Sequence, residues 1–118
     1  MPISPLRLAI TLLALATALI HFSLLFMMGR FDVAFFLNGV GYLALTFAYL
    51  TNVPLGAARR PLLHFLFIGY TGVTILAWVA LGEKNPAAPL GAIGYIDKII
   101  EILLIVALVI SLQRERQQ

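Results

Sequence analysis

The chain has 118 residues, 62% of them hydrophobic and 11% charged, with a formal net charge of +3. A soluble domain of this length needs more polar surface to cover its core, so the composition excludes a water-soluble globule and fits a chain whose exterior faces lipid. The few positive charges sit at segment ends, which points to membrane orientation and away from nucleic acid, and the absence of cysteine excludes disulfides, thiolate metal sites, Cys-ligated clusters and cysteine nucleophiles.

Four apolar stretches follow one another, at about residues 6–28, 33–50, 62–81 and 93–112. Each approaches the ~20 residues that carry a helix across a ~30 Å hydrocarbon layer. Open strands cannot cross lipid with unpaired backbone groups, so helices are expected. The opening "MPISPLRLAITLLALATA" also has the layout of a signal peptide, with a basic start, an apolar centre and small residues in an A-x-A arrangement. It is read here as a retained first span. The breaks "GRFD", "TNVPLGAARRP" and "GEKNPAAPLG" carry turn chemistry, and Pro61 suits the first turn of the third helix. The expected fold is all-α: a four-helix transmembrane bundle forming a single domain over residues 1–118.

Arginine placement predicts orientation. Four spans put the N-terminus, the second connection and the C-terminus on one side, with Arg7, Arg59, Arg60, Arg114 and Arg116. The other side holds Arg30, Lys84 and Lys98. The positive-inside rule then places both termini in the cytoplasm of a multi-pass protein of the cell membrane.

Depth can be counted from the arginines. At ~1.5 Å per helical residue, His21 lies ~21 Å above Arg7, Asn38 ~21 Å above Asn52, Thr74 ~21 Å above Arg60 and Glu101 ~20 Å above Arg114. All four helices thus offer a polar group at one level, about two thirds of the way out. The faces agree: Ala14, Thr17, Ala18 and His21 on the first helix, and Ala34, Asn38, Gly41 and Tyr42 with Leu45 and Tyr49 on the second. Thr71, Thr74 and Trp78 share a face of the third, beside Gly69 and Gly72, which are expected to allow close backbone approach. Gly94, Asp97 and Glu101 stack on the fourth. Helices in lipid associate through small residues and polar side chains, so these faces should turn inward around a polar chamber open to the outer surface.

A charge in the bilayer is expensive and usually faces a partner or a cavity. Glu101 has Lys98 on its own helix and His21 across the bundle as partners, while Asp97 and Glu101, four apart, would repel if both were ionised. The His21–Glu101 pair reads either as a proton- or cation-binding site or as a bond that only locks the bundle. Asn38 reads as helix glue before ligand contact. Asp97 and Lys98 read first as hydrated residues of the outer interface, and His64 as an interfacial side chain beside Arg59 and Arg60. A bis-histidine haem fails on depth, since His64 lies ~15 Å below His21. No zinc spacing, nucleophile triad, phosphate loop or dinucleotide fingerprint is present, so no cofactor and no metal are expected. "NGVGY" reads as helix packing, and Trp78, Tyr95 and "FDVAFF" as an aromatic belt.

At "IHFSLLFM", "LNGVGYL", "TGVTILAW" and "GYIDKIIEILLIV" the chain resembles the small four-span membrane proteins of unknown function found in halophilic archaea and some bacteria. The resemblance implies a histidine late in span one, a small-residue span two, basic residues before span three and an Asp-Lys pair opening span four. It supports the architecture and assigns no activity.

Three function classes stay open. The first is a non-catalytic accessory or scaffolding subunit, working in a larger membrane complex or as a homo-oligomer. The second is a binding or transport module for a proton, a cation or a small amphipathic ligand, using His21, Asn38, Thr74, Asp97 and Glu101. The third is a membrane enzyme acting on lipid or quinone by acid–base chemistry. The lipid bilayer is the partner common to all three, and nucleic acid is not one.

Overall fold

The computed structural model describes residues 4–28, 33–51, 60–82 and 84–116. Arg30, Asp32, Asn52, Arg59 and Glu83, used above for orientation and depth, lie outside them, as does the side chain of Arg116. Four helices make up the fold: α1 (Pro5–Met28), α2 (Val33–Thr51), α3 (Arg60–Leu81) and α4 (Pro89–Arg116). They fall on the four expected stretches. The largest difference is in α4, which runs beyond its apolar part at both ends because a helix does not stop where hydrocarbon stops.

Local signals explain the ends. The Ser4 hydroxyl accepts from the backbone N–H of Arg7 at 3.2 Å and caps α1. Asn85 makes the turn into α4, its side-chain oxygen accepting from Ala87 N–H at 3.0 Å, and Pro89 then occupies a position where a missing N–H costs nothing. At the far end of α2, the Tyr49 carbonyl accepts from Arg7 at 3.0 Å and from Arg60 at 2.9 Å. Two guanidiniums thus satisfy a carbonyl at the negative end of that helix. The same contacts bring the start of α1, the end of α2 and the start of α3 to one end of the bundle. Arg60 bonded to Glu115 adds the end of α4.

The helices form an up-down ring in which α1 packs closely on α2 and on α4, and α3 on α4, while the α2–α3 seam is the loosest. The long axis is 46 Å, enough for a ~30 Å hydrocarbon layer with polar ends. Polarity is inverted relative to a soluble protein. Large apolar side chains such as Leu19, Phe26, Leu37, Phe47, Leu76 and Ile99 face outward, while Thr17, His21, His64, Thr71, Asp97, Lys98 and Glu101 are buried. Three helices, α1 to α3, are long and apolar enough to cross a membrane. The fourth carries Asp97, Lys98 and Glu101 in its central turns, but all three point inward. Its outer face is Ile96, Ile99, Ile102, Leu103 and Val106, as apolar as that of the other three.

One packing expectation needs correction. Gly69 and Gly72 face open space, with nothing near the place of a β-carbon. The close approaches fall on α2 instead. A β-carbon on Gly39 would meet the Phe22 ring at 2.8 Å, and one on Gly41 would collide with the Tyr70 hydroxyl. The buried face of α2 is accordingly Gly39, Tyr42, Thr46 and Tyr49, while Ala34 lines the cavity with Asn38, as expected. "NGVGY" is a packing element, as its glycines suggest.

Candidate functional site

The inward faces of α1, α2 and α4 meet in one buried polar cluster. Lys98 donates to Asp97 Oδ2 at 3.1 Å and to Glu101 Oε1, lying between the two carboxylates. Tyr42 donates its phenolic hydrogen to Glu101 Oε2 at 2.6 Å. The Thr17 hydroxyl reaches Asp97 Oδ1 at 2.5 Å and Glu101 Oε2 at 3.2 Å. His21 completes the set: its Nδ1 is 2.8 Å from the Thr17 carbonyl one turn earlier, and its Nε2 is 3.7 Å from Asp97 Oδ2. A carbonyl can only accept, so Nδ1 carries hydrogen, and Nε2 is the nitrogen that gains or lacks a proton.

The formal charges do not balance. Two carboxylates and one ammonium leave the buried cluster at −1 when the His21 ring is neutral. Burying net charge is unfavourable unless something pairs with it. The set is therefore neutral only when it holds one more positive charge, which a proton on Nε2 beside Asp97, a proton on one of the carboxylates or a bound cation supplies. Donor atoms of His21, Asp97 and Glu101 all lie within 4.8 Å of one another, which is the donor set of a metal site. Lys98 argues against a metal, because its ammonium already bridges the carboxylates such an ion would use.

This cluster floors a cavity of about 430 Å³ at the end of the bundle away from the arginines. Asn38 and Thr74 stand on its wall across the α2–α3 seam, joined to each other at 3.1 Å. The Tyr70 hydroxyl donates to the Asn38 carbonyl at 2.8 Å and holds the seam just below. The mouth is apolar and aromatic, with Leu24, Phe35, Trp78 and Leu81. Gly94 allows this shape, since a β-carbon there would lie 2.7 Å from the Trp78 indole nitrogen. Tyr95 packs edge-on to Trp78 at 5.0 Å, and Lys84 lies over the indole at 5.4 Å.

All five residues singled out from the sequence therefore border the cavity or its floor, but their pairing differs from expectation. His21 faces Asp97, whereas Glu101 is engaged by Tyr42, Thr17 and Lys98. Asp97 and Lys98 are buried, not hydrated at an interface. Their depth follows from where α4 begins: Pro89 is about one turn earlier than the apolar stretch, so Asp97 is already ~12 Å along the helix. The expected repulsion between Asp97 and Glu101 is relieved by Lys98 between them. Thr17 and Tyr42, placed on inward faces by spacing, were not recognised as the donors that hold the carboxylates.

A second polar station lies at the arginine end and was not anticipated. His64 is fully buried, correcting its assignment to the interface. Its Nδ1 meets the Arg60 carbonyl at 2.9 Å, and its Nε2 meets Ser111 Oγ at 2.9 Å and Glu115 Oε2 at 3.4 Å. Tyr49 shares the Ser111 hydroxyl at 2.9 Å. Both histidines thus anchor one nitrogen on the carbonyl of the preceding turn and aim the other at a carboxylate of α4. Ser111 is ten residues from Glu101, ~15 Å along α4, so the two rings occupy separate levels.

Burial raises the Glu115 carboxyl, but the Arg60 hydrogen bonds and charge, aided by His64 and Ser111, outweigh it and hold the group below its usual value near 4.5. A carboxylate held low contributes stability that is present above the unfolded value and lost as pH falls through the folded one. Thermal melting should therefore drop as pH falls below about 4.5, and Glu115→Gln should flatten that part of the melting profile while lowering stability at neutral pH. An unchanged acid limb in the variant would mean that other carboxylates set it.

Compared with models of known protein families, with characterised proteins and with solved structures, the chain matches none. Four helices, an apolar exterior and charged side chains buried inside define it as a helical-bundle membrane protein.

Proposed function

We propose that the protein is a multi-pass protein of the cell membrane that binds one positive charge, a proton or a monovalent cation, in the His21–Asp97–Glu101 chamber. The observation that carries this reading is the charge deficit: two buried carboxylates share a single tethered ammonium, beside a histidine whose outer nitrogen faces Asp97. Orientation follows from Arg7, Arg60 and Arg114 at one end, which the positive-inside rule assigns to the cytoplasm. The cavity then opens outward, so the site samples the external medium or the outer leaflet.

Intramembrane ionisable residues mark ion and proton sites more often than structural ones, and a histidine is the side chain that changes charge near neutral pH. The purified protein should change melting temperature between roughly pH 5 and 8, and His21→Gln should reduce that response more than His64→Gln does, while remaining folded. A wild-type protein indifferent to both pH and monovalent salt would overturn the reading. Such indifference would favour the accessory-subunit alternative, for which Glu101→Gln leaves the assembly and work of a host complex unchanged.

A further inference from the structure

We infer that the ligand of this chamber is a primary organic ammonium on a small apolar body, its head between His21 Nε2 and Asp97 and its body against Phe35 and Trp78. The inference rests on the charge deficit proposed above and adds the chemical class of what fills it.

The hydrogen-bond inventory leads to the head group. With Nδ1 committed to the Thr17 carbonyl, Nε2 of the neutral ring is an acceptor. The His21 ring is buried and borders the cavity, and its Nε2 has Asp97 Oδ2 at 3.7 Å, too far for a hydrogen bond. Two acceptors that face each other at this range call for a donor reaching both. A hydroxyl has one hydrogen to give. A primary ammonium has three, and it also brings the single positive charge that the cluster lacks. Asn38 is the spare acceptor on the wall: its Nδ2 donates to Thr74, and its Oδ1 has only a long 3.4 Å approach from Tyr70.

Competing ligand classes fare worse on the same inventory. An anion would deepen the negative charge. A divalent metal would overshoot it, and two of the oxygens it would use already accept from Lys98. The remaining groups facing the head are already matched: Glu101 by Lys98, Thr17 and Tyr42, and Tyr70 by the Asn38 carbonyl. Lys84 lies outside, over the Trp78 ring.

Size and lining lead to the body. About 430 Å³ falls within the ~300–1,000 Å³ of small-molecule sites. Above the polar floor the wall is hydrocarbon and aromatic, which suits an apolar body and favours a nearby cation through the ring faces. Ala34 and Ala77 line the loosely packed α2–α3 side of the cavity and leave room for entry from the bilayer. The head and the His21 proton supply the same missing charge, so binding one displaces the other.

Phenethylamine is a suitable probe, titrated calorimetrically into the full chain in phosphatidylcholine nanodiscs. It should bind, tightening as pH rises from roughly 5 to 8 because fewer protons compete. Phenylethanol and phenylacetate, of similar shape but neutral and anionic, should bind at least about tenfold more weakly. That comparison needs no variant. His21→Gln should abolish the pH dependence, and Trp78→Leu, outside the charged cluster, should weaken binding of the amine. A free amine and an aminolipid headgroup share this chemistry. Nanodiscs containing phosphatidylethanolamine separate them: suppressed phenethylamine binding there identifies the lipid, and equal binding identifies a free amine. Absence of phenethylamine binding in phosphatidylcholine, or equal binding of phenylethanol, overturns the inference. If the melting temperature still responds to pH in that case and His21→Gln reduces the response, the charge site stands and only the ligand class falls.

Discussion

Replacing Lys98 by methionine should destabilise the protein by about 3–5 kcal/mol, the usual consequence of removing one partner of a buried ion pair. The ammonium is the only tethered cation among the described residues within reach of Asp97 and Glu101, and it bonds both. Without it, two carboxylates that share the Thr17 hydroxyl face each other in a space of low dielectric, where their repulsion is far stronger than in water. Methionine keeps much of the volume, so the loss reports charge and not packing. The double variant Lys98→Met/Glu101→Gln restores the original charge balance and should recover most of the stability. Equal losses in the single and double variants, measured by unfolding in mixed detergent, would show that Lys98 is not the counter-charge. The single variant should also depend more steeply on pH than the wild type, because a carboxyl must take up a proton to relieve the pair.

The sequence carried the spans and the level of the chamber because lipid makes polarity informative. In a soluble chain an inward face is found by its apolar residues. Here both faces of every helix are apolar, and the rare polar side chains mark the interior. His21, Asn38, Thr74 and Glu101 stood out for that reason, and depth counted from arginines put them on one level. What failed was information that one helix cannot carry. Tyr42 and Tyr49 are amphipathic aromatics, equally at home in an interfacial belt, and only neighbouring helices show that their hydroxyls serve Glu101 and Ser111. His64 sat close in sequence to Arg60, which suggested water; the i+3 and i+7 positions of Phe67 and Thr71 on the same buried face were the missed signal. The apolar stretch alone misplaces Asp97 and Lys98, because α4 starts earlier, at Pro89. The glycines followed the same rule. Gly39 and Gly69 look alike in sequence, and only one meets a neighbouring ring.

Phe67→Ala should be the second costly substitution, and its effect should extend beyond stability. Phe67 is fully buried between the two polar stations, 6.5 Å from the ring of Tyr42 on one side and 6.5 Å from that of Tyr49 on the other. Leu104, Leu108 and Ala14 belong to the same packed layer. The hydroxyls of Thr46 and Thr71, on the buried faces of α2 and α3, do not bridge the gap, since each donates to the carbonyl of its own preceding turn, at 2.7 and 2.9 Å. The intact layer thus separates the charge deficit around His21 from the His64–Glu115 station, and among the described residues no polar path runs continuously through the bundle core. In lipid the unfolded reference also surrounds Phe67 with hydrocarbon, so the transfer contribution largely cancels and the cavity contribution remains. At about 24 cal/mol per Å³, a space of about 100 Å³ amounts to about 2–3 kcal/mol. That space would be lined by Thr46, Thr71 and the two tyrosines, polar enough to hold water, whereas a purely aliphatic cavity of the same size stays dry. Reconstituted vesicles carrying the wild-type protein should hold an imposed pH gradient, and those carrying Phe67→Ala should dissipate it faster. Leu108→Ala, opening a smaller space in the same layer, should fall between them. Were the wild type as leaky as the variant, Phe67 would not be the barrier, and the two histidines would have to communicate by a path around it.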